Sequence, residues 1–201
     1  MMAFNGTFCQ GRFPKLGNNT TESPNIGFIV NTKGDTISCE FKKPLLGELR
    51  YKPVNTTEKF KKITTDEVKE YFMATDSIDY ISLFADSDST EPEFYQRLEN
   101  GKVCLYKKVV THYNYMNGMM TSSSNTFYFV SKDFGYLREI KSNSLLNDGS
   151  RKKRREYLSN LFSDDPELDE KFKNDNNFDF ETVRNYVHAY NIYKAKSGAT
   201  K

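Results

Sequence analysis

Up to about residue 140 apolar residues recur at every second position, and from about residue 150 they recur three and four apart. That switch restricts the fold more than any motif in the chain. A period of two places alternate side chains on one face of a strand, whereas a period of 3.6 places them on one stripe of a helix. A chain of 201 residues is long enough to bury its own core as one domain. The pattern predicts an α+β domain over 26–195. Its 26–142 part forms a twisted or partly closed antiparallel β-sheet, and two to three C-terminal helices over 150–194 pack on it. Residues 1–25 are expected to be a flexible lead-in, Gly-, Pro- and Asn-rich from Gln10 on, and 196–201 a disordered tail.

The local signals are specific in places. Gly27–Asn31 and Thr36–Phe41 flank Lys33-Gly34-Asp35, a hairpin signal in which Gly34 is free to take positive φ. Glu48–Lys52 and Glu58–Ile63 follow as strand candidates. Thr64-Thr65-Asp66-Glu67 has the form of a capping box, and Val68, Tyr71 and Phe72 continue at helical spacing, so a short helix is expected there. Tyr80–Ala85, Phe94–Glu99, Lys102–Tyr106 with an optional continuation through Val109, Val110 and Thr111 to Tyr115, Thr126–Ser131 and Tyr136–Ile140 complete roughly eight to nine strands. Asn100-Gly101 calls for a type I′ turn, and the Ser- and Gly-bearing 117–125 for a loop. Three helical stripes close the pattern. They are Tyr157, Leu158, Leu161 and Phe162; then Leu168 and Phe172 behind Asp165-Pro166; then Val183, Tyr186, Val187 and Tyr190.

Composition narrows the chemistry. Basic and acidic residues number 29 and 27, a net charge of +2, which argues against a molecule that coats nucleic acid as a whole. Arg151-Lys152-Lys153-Arg154-Arg155 is the one dense basic run. Consecutive helical residues point around the cylinder, and Asp164, Asp165, Glu167, Asp169 and Glu170 follow closely, so a solvated helix start is expected. A cytoplasmic nucleic-acid-binding patch is the alternative. Cys9, Cys39 and Cys104 have no metal-ligand spacing. Cys39 and Cys104 fall on strands as small core residues, with a disulfide between them as the sharper alternative, which needs close and aligned β-carbons. His112 and His188 lack partners at catalytic spacing, and no nucleophile elbow, phosphate loop or dinucleotide fingerprint is present. Neither a cofactor nor a metal is expected. A hydrolase with unrecognised carboxylate chemistry is a further alternative, which the spacing of the acids neither supports nor excludes.

Aromatics are the richer signal. Phe and Tyr number 16 and 13, with no Trp, and Tyr106, Tyr113, Tyr115, Phe127, Tyr128 and Phe129 cluster on strands. Half of these rings should fill the core, and the others lie under the helices or exposed. Tyr113, Tyr115 and Tyr128, with Met119 and Met120 at the adjoining tip, are the candidate contact residues for a sugar, a peptide or a protein. No apolar stretch reaches the length of a membrane-spanning helix.

Gly27-Phe28-Ile29-Val30-Asn31-Thr32-Lys33-Gly34-Asp35-Thr36-Ile37 resembles the GYIVTxxGDTIxGxI opening of many uncharacterised exported proteins of Bacteroidota. Phe94–Leu98, Asn100–Val103 and Leu105-Tyr106 are similar to the middle of that group. Tyr157-Leu158, Phe162–Leu168 and Tyr190-Asn191 are similar to its end. The resemblance implies a shared fold and a periplasmic or secreted location. Together with the aromatic strands and the missing catalytic constellation, it makes a non-enzymatic binding protein of the bacterial envelope, with an envelope protein or glycan as partner, the leading expectation. It implies no activity, cofactor or catalytic residue. Met1–Cys9 reads as the tail end of a signal peptide, with Thr7 and Cys9 as the small residues before a cut at Gln10.

Overall fold

The computed structural model describes residues 25–43, 48–116, 119–133, 135–142 and 151–198. The expected lead-in, Cys9 and the stretch Met1–Cys9 read above as the end of a signal peptide fall outside the described residues. Ten strands form one sheet: β1 (Asn25–Asn31), β2 (Thr36–Lys42), β3 (Arg50–Pro53), β4 (Lys61–Lys62), β5 (Val68–Met73), β6 (Ile78–Leu83), β7 (Glu93–Glu99), β8 (Val103–Met116), β9 (Met119–Lys132) and β10 (Arg138–Ser142). Their order across the sheet is β10-β9-β8-β7-β6-β5-β1-β2-β3-β4, and neighbours pair antiparallel. Three helices follow: α1 (Arg151–Phe162), α2 (Pro166–Asn174) and α3 (Phe180–Gly198). The predicted α+β architecture, an antiparallel sheet carrying C-terminal helices, is what the chain adopts.

Alternation sorts the core onto the two faces. On one face Val103, Leu105, Val130 and Ile140 meet Leu158, Leu161, Phe162, Phe172, Val183, Val187 and Tyr190 of the helices. On the other face Ile81, Tyr95, Cys104 and Tyr106 form a smaller cluster, joined by Phe129 and Leu137. The helices touch β7 and β8. Ile29, Cys39, Phe41, Tyr51, Ile63, Val68, Tyr71 and Met73 bury one another in a separate cluster farther along, among β1–β5.

Several local expectations change. The β1–β2 hairpin forms as predicted. Gly34 has φ of 93°, and the Asn31 side chain accepts from the backbone N–H groups of Lys33 and Asp35 at 3.0 and 2.8 Å. The predicted helix after Thr64 is instead strand β5. Thr64–Glu67 makes a single turn, with Val68 N–H donating to the Thr64 carbonyl at 3.0 Å, and then the chain extends. A bulge explains the misleading spacing. Val30 pairs with Glu70 and Asn31 with Val68, so Lys69 is the extra residue. That insertion puts Val68 and Tyr71, three apart, on the same buried face, as a helix would. The loop expected over 117–125 is strand from Met119 onward, paired residue for residue with β8. Of Asn100-Gly101 only Gly101 takes positive φ, and the ladder resumes at Glu99↔Leu105, so the turn is wider than type I′. Residues 196–198 belong to α3 rather than to the tail.

One ion cluster sits between strands. Arg97 on β7 donates to Asp79 on β6 at 2.7 Å and to Glu70 on β5 at 3.0 Å, with little of its side chain exposed. Arg97→Met leaves those two carboxylates facing each other. Because both keep some contact with water, we expect a loss of about 2 kcal/mol in urea unfolding. A loss below about 0.5 kcal/mol would mean that the carboxylates part freely.

Candidate functional site

The sheet does not end level. β7 pairs with β8 only at Leu105–Lys107, and β10 pairs with β9 only at Phe127–Val130. Beyond these ladders, among the described residues, β8 from Val109 and β9 from Asn125 pair only with each other, as far as Met116↔Met119. They form a two-stranded arm about 24 Å long at roughly 3.4 Å per residue. No Asp, Glu, Lys or Arg occurs between Lys108 and Lys132, in a chain that is 28% charged. The arm is built mainly of Ser, Thr and Asn with Tyr, Val and Met. Cross-strand hydroxyl contacts such as Thr111 Oγ1 to Ser124 Oγ at 2.9 Å line the arm.

Register assigns its faces. Val109, Thr111, Tyr113 and Tyr115 stand opposite Thr126, Ser124, Ser122 and Met120. Alternation puts this face in line with Val103 and Leu105, the face that the helices cover nearer the base. The helical layer stops at Tyr128, whose ring stacks on Phe180 of α3 at 3.9 Å. Past that point the apolar row continues uncovered: Val109 is 50% exposed, Tyr113 59%, Tyr115 76% and Met120 44%. Met119, 70% exposed, lies on the opposite face.

The expected contact residues are thus partly brought together. Tyr113, Tyr115 and Met120 share one face, Met119 sits behind them, and Tyr128 is withdrawn under α3. Val109 joins the row and was not foreseen. The absence of charge between Lys108 and Lys132 was the signal that could have found the whole arm.

The basic run separates into distinct roles. Arg155 donates to the carbonyls of Phe172 at 2.7 Å, Lys173 at 3.2 Å and Asp175, and Arg151 donates to that of Asn176 at 3.2 Å. Both guanidinium groups therefore cap the C-terminal end of α2, where exposed carbonyls favour a cation. Arg154 turns into a hollow of about 460 Å³ with Ile140, Phe178, Asp179 and Phe180, and its enclosed Nε meets no acceptor among the described residues. Lys152 and Lys153 are left exposed. The five residues do not form one basic face.

Cys39 and Cys104 are both free and buried, in different clusters. Five strand spacings separate β2 from β8 in the sheet order, on the order of 24 Å along the sheet, so the disulfide alternative gives way to two core thiols. His188 Nδ1 lies 3.2 Å from Glu99, which also accepts from Arg184 Nε at 2.8 Å, so this carboxylate ties β7 to α3. No group of three or more His, Cys, Asp or Glu suited to a metal occurs among the described residues, and no described helix is long and apolar enough to cross a membrane.

Asp164, just after α1, fastens the helical layer to the sheet. It accepts from Tyr190 Oη at 2.7 Å, Lys132 Nζ at 3.1 Å and Lys194 Nζ at 2.9 Å. Burial works to raise its carboxyl, but the hydrogen bonds from Lys194, Tyr190 and Lys132 outweigh it and hold the group well below the usual carboxylate range. A depressed carboxyl contributes stability above its unfolded value, near about 3.9, and loses it as pH falls through the folded one. Asp164→Asn should therefore flatten the fall in stability between about pH 4 and pH 2. Urea unfolding across that range checks it, and an unchanged slope would assign the fall to other carboxylates.

No protein-family model, curated protein or solved structure matches the chain.

Proposed function

We propose that the protein acts without catalysis, as a binding protein that docks a protein partner on the ring face of the β8–β9 arm. The observation that carries this reading is the row Val109, Tyr113, Tyr115 and Met120, uncovered on an arm that stands clear of the sheet. Tyr presents a large, stiff, amphipathic surface at low cost in side-chain entropy, and neighbouring Ser, Thr and Asn supply adaptable hydrogen bonds. Because the arm carries no charge, the matching surface is one poor in charge as well. We infer the bacterial envelope as the setting, supported by the likeness of Gly27–Ile37 to exported proteins.

A photoreactive phenylalanine analogue at Tyr115, introduced in cells of the source organism, tests the docking face. The expected result is one discrete adduct, lost in the Val109→Ser, Tyr113→Ser background and kept with Tyr136→Ser, another exposed ring away from the arm. No adduct, or the same adduct from an analogue at Tyr136, would overturn the reading. Fractionation of the same cells tests the setting separately: recovery in the cytosol removes the envelope and leaves the arm untouched.

A further inference from the structure

Among the described residues the arm has two unpaired strand edges as well as a ring face, and the rest of the sheet shows how unusual that is for this chain. Exposed strand edges offer unpaired N–H and C=O groups, and soluble proteins blunt them with short strands and charged side chains. Both outer edges of this sheet follow that practice. β4 is only Lys61-Lys62, and β10 is the five-residue run Arg138-Glu139-Ile140-Lys141-Ser142. The free edge of β8, from Lys108 to Met116, does the opposite. Beyond Lys108, whose ammonium pairs with Glu93, it carries no charge, and it is built from Val109, Val110, Thr111, Tyr113 and Tyr115, residues that favour strands. The corresponding edge of β9, Met119–Asn125, carries Ser122-Ser123-Ser124-Asn125 instead, which favour strands less.

We infer that the free edge of β8 pairs antiparallel with the same edge of a second copy of this chain, giving a continuous four-stranded ribbon β9-β8-β8-β9 about a two-fold axis. A two-fold pairing brings each residue against one from the same short segment, so any charge there would meet its like. The segment beyond Lys108 has none. The two-fold axis stands perpendicular to the ribbon, so Tyr113 and Tyr115 of both copies fall on one face as cross-strand neighbours. His112 and Asn114 of both copies fall on the other. The two bodies lie at opposite ends of the ribbon. A strand of this length buries less area than a permanent dimer needs, which places the association in the weak, transient class. The pairing rests on the arm's bare edge and leaves the ring face available for the docking reading above.

Sedimentation equilibrium of the full chain from about 1 to 500 μM tests it, across the range that weak interfaces occupy. We expect a monomer–dimer equilibrium whose dissociation constant rises at least tenfold with His112→Lys, Asn114→Lys, which sets like charges side by side in any register. Ser123→Lys, on the β9 edge, should leave the constant within about twofold. Hydrogen exchange on the unaltered chain gives a second measure. Amides of 108–116 should slow at high concentration, while those of 119–126 stay as they are. A monomer throughout, a dimer indifferent to the β8 lysines, or equal loss with Ser123→Lys would each overturn the inference. A monomer that still yields a Tyr115 adduct to another protein sinks the pairing alone, and a dimer whose Tyr115 adduct is missing or joins only two copies of this chain sinks the docking reading alone.

Discussion

Phe162→Ala is expected to lower the unfolding free energy by about 3–5 kcal/mol in urea or thermal denaturation, the largest effect of any single truncation considered. Phe162 is 0% exposed and ends α1 where all three helices meet. Its ring lies edge-on to Phe172 of α2, with centroids 5.4 Å apart, and close to Tyr190 and Tyr186 of α3 at 5.5 and 6.5 Å. Removing it forfeits the transfer energy of one ring and leaves a void that neighbouring rings, fixed by their own contacts, cannot close. Tyr190 in particular is held by its hydrogen bond to Asp164. Tyr115→Ala, on the exposed arm, serves as the contrast and should change stability by less than about 0.5 kcal/mol. If Phe162→Ala costs less than about 1 kcal/mol, the helices would have to settle into the void, and the layer would be softer than its packing implies.

Asn191→Leu should cost about 3 kcal/mol through hydrogen bonds alone. Asn191 on α3 treats Val103 as a neighbouring strand would: its Oδ1 accepts from the Val103 N–H at 3.0 Å, and its Nδ2 donates to the Val103 carbonyl at 2.7 Å. Val103 is fully buried, and β7 has already left the ladder at Glu99↔Leu105, so no strand backbone takes these groups on that side. Leucine keeps the volume and strands one donor and one acceptor, each at about 1–3 kcal/mol. The Val103 amide should exchange faster with solvent in the variant, while amides of β1 and β2 keep their protection. An unchanged Val103 amide would show that another group satisfies it. Gly101 belongs to the same contact, since a β-carbon there would fall 2.4 Å from Asn191 Cγ.

How much of this was legible in the sequence follows from which interactions are local. The β1–β2 hairpin depends on Asn31, Gly34 and Asp35, all within five residues, and its signal is complete in the chain. Pro166 behind Asp165 announces α2, and the Asp165 carboxylate does accept from Leu168 N–H. β5 was hidden because the bulge at Lys69 converts a strand face into three-residue spacing, and only its partner β1 reveals the insertion. The serines of β9 read as loop because their strand state is imposed by fourteen residues of β8 across from them. For the site, Tyr113 and Tyr115 were visible as rings at strand period. That Tyr128 is covered and Val109 is not depends on where α3 ends its contact with the sheet, which no local pattern states. Arg155 looked like part of a charge run because its acceptors lie seventeen to twenty residues downstream.

The Asn191–Val103 contact also sets an order of events during synthesis. The two residues are 88 apart in the chain, and Asn191 is translated last. While a ribosome is extending β9 and β10, the start of β8 has its apolar side chains bare and its polar backbone groups unmatched. The cluster buried by β1–β5 takes no residue from a helix. The start of β8 does depend on one, so until α3 clears the exit tunnel the nascent chain offers a sticky, unfinished edge, the kind of surface that chaperones meet.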